Sequence, residues 1–222
     1  MKTRTEFDSM GAVEVPAEHR WGAQTQRSFE NFRIGTQKQP LAVIHAFAYL
    51  KAACAMANME HGLITPEQAE TICAVCKEIA DGRWDSEFPL AVWQTGSGTQ
   101  SNMNANEVIA NRGNEMAGKK LLHPNDDINM SQSSNDTFPT AMHISAVIAI
   151  EDKVIPAVDT LIETFKRLEK ENEGIVKSGR THLQDATPIA FSQEISGWRS
   201  SLEKDKKLLE IALPELKELA LG

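Results

Sequence analysis

Apolar residues recur along much of this chain at spacings of three and four residues, the period of an amphipathic α-helix. The pattern predicts a helix at about residues 41–60. A second helix is predicted from Pro66, because Thr65 and Gln68 stand at the spacing of a capping box. A third helix is predicted at about residues 99–116.

The second half of the chain carries a longer apolar seam. Its spacings alternate between four and three and predict one helix at about residues 137–170. Pro156 lies inside this stretch, and proline costs about 3 kcal/mol in a helix interior, so we expect a local bend there. A last helix is predicted from about residue 189, with Pro214 inside it. Two long helices cannot bury both seams by themselves, so the seams require further partners.

No useful run of alternating apolar and polar residues predicts a β-strand, and residues 1–40 give no clear pattern. The predicted fold class is therefore all-α. We predict a smaller, mostly helical N-terminal domain at residues 1–133. Residues 134–222 then form the first long helices of a central helical bundle.

The charge balance limits the choice of partners. The chain has 23 Lys and Arg against 31 Asp and Glu, a formal net charge of −8. Because phosphate binding relies on basic residues, this balance argues against a nucleic-acid partner. No apolar run approaches the ~18 residues of a membrane span, and the polar start of the chain does not form a signal peptide. We therefore expect a cytoplasmic protein with no membrane partner.

Two of the three cysteines, Cys73 and Cys76, form a C-x-x-C pair. Such a pair can serve metal or redox chemistry. Structural zinc sites need a second pair of ligands, so we interpret both cysteines as small apolar residues of a helix and expect no metal site. An odd number of cysteines fits a reducing cytoplasm.

Two polar loops adjoin predicted helix starts. Residues 95–104 combine glycines with hydroxyls and amides, and residues 133–136 open the long helix with the same residue types. The free N–H groups and the positive dipole end of a helix N-terminus suit a carboxylate ligand. Helix capping by Ser or Thr is the alternative interpretation of both loops.

A third polar loop, at residues 179–188, contains His182. A histidine in a polar loop is a candidate acid or base near neutral pH. Arg180 is the only basic residue in the three loops, whereas a dicarboxylate pocket requires more positive charge. The site predicted from these loops is therefore incomplete.

Four segments of the chain resemble class II fumarate hydratase, and the resemblance extends over the whole chain and about the first half of a family member. The segments are residues 96–104 (GSGTQSNMN), 123–127 (HPNDD), 133–140 (SSNDTFPT) and 179–185 (GRTHLQD). Aspartase, a relative of the same fold, is the nearest alternative. It typically has Gln at the position of His182 and Ala at the position of Ser97, so both positions favour fumarase.

The resemblance implies reversible hydration of fumarate to (S)-malate, a step of the tricarboxylic acid cycle, with no metal or organic cofactor. It implies a fumarase/aspartase-like homotetramer whose long helices share a central bundle. Each active site would collect loops from three subunits, and the small-molecule partner would be a dicarboxylate.

The resemblance also implies roles for individual residues. His182 corresponds to the catalytic histidine, paired with a water. It serves the hydroxyl side of the reaction, although an alternative makes the histidine–water pair the base. The residues that correspond to substrate contacts are Ser97, Gly98, Thr99, Ser133, Ser134, Asn135 and Thr181. An accessory dicarboxylate site corresponds to His123, Pro124, Asn125 and Asp126.

The family's flexible loop, of the form Gly-Ser-Ser-x-Met-Pro-x-Lys-x-Asn, does not occur in the 222 residues. That loop supplies a serine base together with a substrate-binding lysine and asparagine. We therefore expect this chain alone to be inactive. The alternatives that remain are an aspartate ammonia-lyase and a non-catalytic helical fragment that oligomerises.

Overall fold

A computed structural model describes residues 2–221, and helices make up most of them. The predicted, predominantly helical fold class is confirmed. The elements in chain order are β1 (Thr3–Asp8), β2 (Gly11–Pro16), α1 (Ala23–Asn31), α2 (Leu41–Glu60), α3 (Pro66–Ala80), α4 (Thr99–Ala117), α5 (Ser134–Ala149), α6 (Ile155–Glu171), β3 (Val176–Thr181), β4 (Gln184–Ala190) and α7 (Phe191–Leu216).

The chain forms two compact units. The second unit is Ala146–Glu218, and the first contains the described residues on either side of it. These units are defined by the density of contacts within each. The domain boundary expected between residues 133 and 134 stays a prediction.

The core of the first unit lies among α2, α3 and α4. Fully buried Phe47 on α2, Val75 on α3 and Val108 on α4 belong to one apolar cluster. The predicted capping box is present, because Gln68 N–H donates to Thr65 Oγ1 over 3.2 Å while the Thr65 amide donates to Gln68 Oε1. The helices predicted at 41–60, 66–80 and 99–116 are confirmed to within one residue.

Helix α2 corrects one expectation drawn from the sequence. Leu41–Glu60 is long and apolar enough, by length and composition only, to cross a membrane, although we had expected no such segment. Its mixed sequence of alanines and larger apolar residues supplies Ile44, Phe47 and Leu50 to the core. A core helix of a globular unit can be equally long and apolar, and it is buried in the same way.

The absence of strands was a wrong prediction, because β1 and β2 form an antiparallel hairpin that pairs Thr3 with Pro16. The expected pattern is reversed in β1, where the half-buried side chains are charged (Arg4, Glu6 and Asp8) and Phe7 is 74% exposed. Strand β2 does turn Val13 and Val15 inward, but this alternation is too short to predict a hairpin on its own.

A second unpredicted hairpin, β3–β4, occupies most of the third polar loop. Thr181 pairs with Gln184, so His182 and Leu183 form a two-residue turn. More than half of the residues of the two strands are exposed, and the exposed ones include apolar as well as polar side chains. Without a buried face, the segment carries none of the alternation that marks a half-buried strand.

The helix predicted at 137–170 is interrupted. A π-helical segment, Ile150–Val154, separates α5 from α6, and Pro156 stands at the start of α6. Proline has no N–H, and its ring collides with the carbonyl four residues earlier, here that of Asp152. The wider π turn accommodates this, so the bend expected at Pro156 takes the form of a change in helix type.

In the second unit, α6 and α7 pack side by side. Lys206 on α7 contacts Asp159 at 2.7 Å, and Arg199 contacts Glu169 at 2.9 Å, so the two helices run antiparallel. Few of their apolar side chains are buried. Trp198 is 48% exposed, and other exposed members of the seam are Leu161, Leu208 and Ile211.

Candidate functional site

The first polar loop enters α4 through Gly98, which is the N-cap residue and has a φ of 70°. A Cβ added at Gly98 would lie 2.1 Å from the ring of Phe138, so only glycine fits this turn. The side chain of Gln94 accepts from the N–H of Ser101, over 2.9 Å. Gln94 therefore caps the first turn of α4, a task that the loop hydroxyls could otherwise have taken.

The hydroxyls of the first loop contact each other. Ser97 Oγ lies 3.2 Å from Thr95 Oγ1 and 3.2 Å from Thr99 Oγ1. Thr95 and Ser97 are exposed, and Thr99 is half-buried. An exposed row of hydroxyls in front of a helix N-terminus is a suitable set of donors for a carboxylate.

The second polar loop opens α5. Asn135 N–H donates to Ser133 Oγ over 3.2 Å, so capping accounts for Ser133 in the chain as described. Ser134 Oγ accepts from the side-chain amide of Asn102, also over 3.2 Å. Asn135 is exposed. Capping thus accounts for Ser133 alone, whereas Ser134 is bonded to Asn102 and Asn135 faces solvent.

The fold brings the first and second loops together. Asn102, which is fully buried on α4, donates to Ser134 and accepts from Thr137 Oγ1 over 3.1 Å. The packing of Gly98 against Phe138 makes a second connection between the same two helix starts. Two helix N-termini with their hydroxyls therefore share one region of the first unit.

The third loop lies in the second unit, at the tip of the β3–β4 hairpin. His182 has a φ of 53° and Leu183 a φ of 62°, the pair of positive values that a tight two-residue turn requires. Leu183 is 98% exposed, and His182 and Thr181 are exposed as well. The turn therefore holds the imidazole at the tip of the hairpin, clear of the strands.

The predicted accessory segment forms a short π-helical turn, Pro124–Ile128, preceded by His123. His123 Nδ1 lies 3.0 Å from an Asp126 carboxylate oxygen and 3.2 Å from the Asp126 amide nitrogen. His123, Pro124 and Asn125 line a cleft of about 500 Å³, and Lys120 adds a positive charge to its wall.

The same cleft has a carboxylate in its wall. Glu107 is 4% exposed and accepts hydrogen bonds from the N–H groups of Gly22, Gln24 and Thr25, as well as from the Thr25 hydroxyl. Burial raises the pKa of Glu107, and these hydrogen bonds oppose that rise. Glu107 thereby fixes the start of α1, which is a structural task.

Cys73 and Cys76 lie on α3 as free thiols, and burial raises the pKa of both. A raised pKa disfavours the thiolate, which is the form that reacts and binds metals. Among residues 2–221, no group of three or more His, Cys, Asp or Glu is arranged to hold a metal ion.

The sequence interpretation missed the polar residues behind the loops, namely the buried Lys51 and Asn102 and the half-buried Asn129. Lys51 is 1% exposed in an apolar helix, and Asn102 and Asn129 hydrogen-bond to each other. A signal was present, because a lone lysine in an alanine-rich helix and an asparagine in a helix interior both break the expected pattern.

Comparison with known proteins assigns the chain to a protein family. The sequence profile of the family described as lyase matches residues 11–222, and the chain belongs to that family. The class II fumarate hydratase of Photorhabdus laumondii is 56% identical over 225 residues, which are 99% of this chain and 48% of that protein. That of Bacillus subtilis is 53% identical over 226 residues, 100% of this chain and 49% of that protein.

Solved structures agree with the sequence relatives. A class II fumarase from Schistosoma mansoni superposes with a TM-score of 0.96 at 41% identity, over 100% of this chain and 48% of that one. A fumarate lyase:delta crystallin from Brucella melitensis superposes with a TM-score of 0.92 at 38% identity, over 98% of this chain and 52% of that one. The resemblance to class II fumarate hydratase is confirmed, and the chain spans about half the length of the curated relatives it matches.

Proposed function

We propose that this chain supplies part of the active site of a class II fumarate hydratase, which adds water reversibly to fumarate to give (S)-malate in the tricarboxylic acid cycle. One observation carries the proposal. Two helix N-termini, each fronted by hydroxyls, meet in the first unit through the Asn102–Ser134 hydrogen bond and the packing of Gly98 against Phe138. Such a pair suits a carboxylate. The relatives described above support the choice of reaction.

In this proposal, one substrate carboxylate lies against the two loops and accepts hydrogen bonds from hydroxyls and amides. The contacts proposed are Ser97, Gly98, Thr99, Ser133, Ser134 and Asn135, with Thr181 supplied by the hairpin. When malate is dehydrated, a base takes a proton from carbon 3, and negative charge moves onto the neighbouring carboxylate. Donors already in place stabilise that charge as it develops.

His182 is the proposed catalytic residue. It acts through a water on the hydroxyl at carbon 2, which leaves as water once it has received a proton. An imidazole can both donate and accept a proton, which suits this transfer. The exposed position of His182 at a hairpin tip agrees with a residue that meets substrate outside its own hairpin. The accessory segment His123–Asp126 is proposed as a second dicarboxylate site.

We propose a homotetramer in the cytoplasm as the working form. The exposed apolar residues of α6 and α7 support assembly, since apolar surface is stabilised by about 25 cal/mol for each Å² removed from water. Light scattering on the full-length protein tests this proposal. Four copies are expected, and a stable monomer would contradict it.

Aspartase is the alternative reaction within the family. The test is to incubate the full-length enzyme with fumarate, with and without ammonia, and to measure malate and aspartate separately. We expect malate alone, because the chain has His182 and Ser97 where aspartase typically has Gln and Ala. Aspartate formed at a rate comparable to malate would transfer the assignment to an ammonia-lyase.

A further inference from the structure

Lys51 is a buried basic residue in the middle of α2. Its side chain is 1% exposed, and the helix around it is otherwise mainly apolar. Within residues 2–221, no carboxylate lies within 4.0 Å of its ammonium group as an ion-pair partner. An unpaired buried charge is costly, so the groups that do contact Lys51 indicate why it is present.

Those groups are two side-chain amides. Lys51 Nζ donates to Gln132 Oε1 over 2.8 Å and to Asn129 Oδ1 over 3.2 Å. Both residues belong to the segment at residues 128–132, which we call the amide turn. Gln132 in turn donates from Nε2 to the carbonyls of Ile128 and Met130. The amide turn is thus closed on itself and attached to α2 through Lys51.

The amide turn leads directly into the second polar loop. Asn129 Oδ1 accepts not only from Lys51 but also from Asn102 Nδ2, over 3.0 Å. The same Asn102 Nδ2 donates to Ser134 Oγ over 3.2 Å. A continuous chain of hydrogen bonds therefore joins the ammonium group to the serine hydroxyl, through Asn129 and Asn102.

Lys51 favours one direction for every bond in this chain. Asn129 is held in the same orientation by its donation to the Gln132 carbonyl and by the Asn106 amide. The protonated side chain of Lys51 has donors and no acceptor, so in that form Asn129 turns its oxygen toward Lys51. That oxygen then requires a donor from Asn102, which presents Nδ2. The other Nδ2 hydrogen of Asn102 points at Ser134, whose oxygen accepts it. The Ser134 hydrogen is left to be donated elsewhere.

We propose that Lys51 is a positioning residue that orients the Asn129–Asn102 amides so that Ser134 acts as a hydrogen-bond donor to the substrate carboxylate. This inference rests on the proposed function. Without a donor at position 51, Asn129 Oδ1 keeps only its two amide donors, Asn102 and Asn106, and the Asn129 and Asn102 amides turn over more readily. Ser134 is then free to donate inward to Asn102, and the substrate loses one donor.

The test uses the full-length enzyme with Lys51→Met, which has nearly the same shape and no donor, and with Ser134→Ala. We expect KM for fumarate to rise about tenfold in each single variant, as for the loss of one hydrogen bond to the substrate, and kcat to fall as well, because the same donor stabilises the charge that develops in the transition state. The double variant should resemble Ser134→Ala alone, because Lys51 acts through Ser134. Additive increases in KM, or an unchanged KM in Lys51→Met, would overturn the proposal.

Two further variants separate positioning from general stability. Ile44→Val removes one methylene from the buried face of α2 without touching the amides, so it should lower the melting temperature and leave KM unchanged. If Lys51→Met does not fold, Lys51→Arg decides instead. A guanidinium is also a donor only, so KM should stay near that of the unaltered enzyme, and a tenfold rise in the folded variant would contradict the proposal.

A readout independent of activity distinguishes failure of this inference from failure of the proposed function. Hydrogen exchange of the amide turn and of residues 133–135 should be faster in Lys51→Met and unchanged in Ile44→Val. If the unaltered enzyme does not hydrate fumarate, the proposed function fails, and the exchange result still tests the hydrogen-bond chain. Unchanged exchange in Lys51→Met would overturn the inference whatever the reaction.

Discussion

The two units of the chain hold their proposed site residues in opposite ways. In the first unit, Ser134 is hydrogen-bonded to the buried amide of Asn102, which is linked through Asn129 to a buried lysine, and Gly98 is packed against an aromatic ring. In the second unit, His182 projects from an exposed turn whose neighbour Leu183 is 98% exposed. The first arrangement is organised from within its own unit. The second is proposed to be organised by what it meets in the assembled enzyme.

This difference predicts that the 222-residue chain by itself has no measurable fumarase activity. The proposed contacts in the first unit are backbone, hydroxyl and amide groups, and the Gly-Ser-Ser-x-Met-Pro-x-Lys-x-Asn motif is absent from the sequence. Loss of a base and a cationic contact together should remove several kcal/mol of transition-state stabilisation, with about 1.4 kcal/mol for each tenfold in rate. The measurement is the loss of fumarate absorbance with the purified chain.

The control for that experiment is the full-length enzyme under the same conditions. Adding the remainder of the enzyme as a separate polypeptide should restore activity if the two pieces share a site. Turnover by the 222 residues alone would show that another group serves as base.

In the full-length enzyme, His182→Asn should lower kcat by about 10² or more, the usual contribution of a positioned acid or base. The matched control is His61→Asn, because His61 is also exposed but lies directly after α2 and belongs to none of the three polar loops. Steady-state kinetics on both variants makes the comparison. Unchanged turnover in His182→Asn would remove this residue from the mechanism.

Gly98→Ala tests the organisation of the first unit. Alanine at a φ of 70° is strained, and its methyl group would meet the Phe138 ring, so the free energy of unfolding should fall by at least about 2 kcal/mol. Gly96→Ala is the matched control, since nothing lies within 4 Å of a Cβ placed there. Urea unfolding of the two variants should separate them clearly. Equal stabilities would contradict the close approach of the two loops.

The smallest effect concerns pH and Lys51. Burial lowers the pKa of Lys51 to about 7, and the thiols of Cys54 and Cys76, which face it from α2 and α3, weakly oppose that shift. Between about pH 7 and about pH 10 the unfolded chain therefore holds more protons at this residue than the folded chain. The stability contributed by this residue rises with pH across that window, by up to about 1.4 kcal/mol per pH unit.

Lys51→Met has no titratable group at position 51, so its stability should not show the increase with pH that Lys51 contributes. Thermal unfolding should be measured at about pH 6.5 and about pH 9. The stability of the variant relative to the unaltered chain should be higher at the lower pH than at the higher one. The conservative core variant Ile44→Val should instead follow the unaltered chain at a constant offset. A stability difference for Lys51→Met that does not vary with pH would show that Lys51 keeps its ordinary pKa.

The sequence predicted α2, α3 and α4 well because their apolar spacing and the Thr65 capping box are local signals, but it missed α1, which lies in the stretch without a clear pattern. It failed at the two hairpins, where the half-buried positions are charged or the strands are mostly exposed. The polar loops could be recognised from residue type and from family resemblance. The amides and the lysine behind Ser134 could not, because their meaning depends on contacts between residues as far apart as Lys51 and Gln132.

The reversed pattern of the N-terminal hairpin has a consequence for its register. A slip of β1 by one residue would turn Phe7 inward and expose Arg4, Glu6 and Asp8, a change that apolar burial alone would favour. Polar contacts hold the observed pairing instead. Arg27 lies 2.9 Å from an Asp8 oxygen and holds the pKa of that carboxyl below its usual value, while Arg4 donates to the Trp21 carbonyl over 2.6 Å. Acid or concentrated salt should therefore loosen the strand pairing of this hairpin before it disturbs the helices behind it.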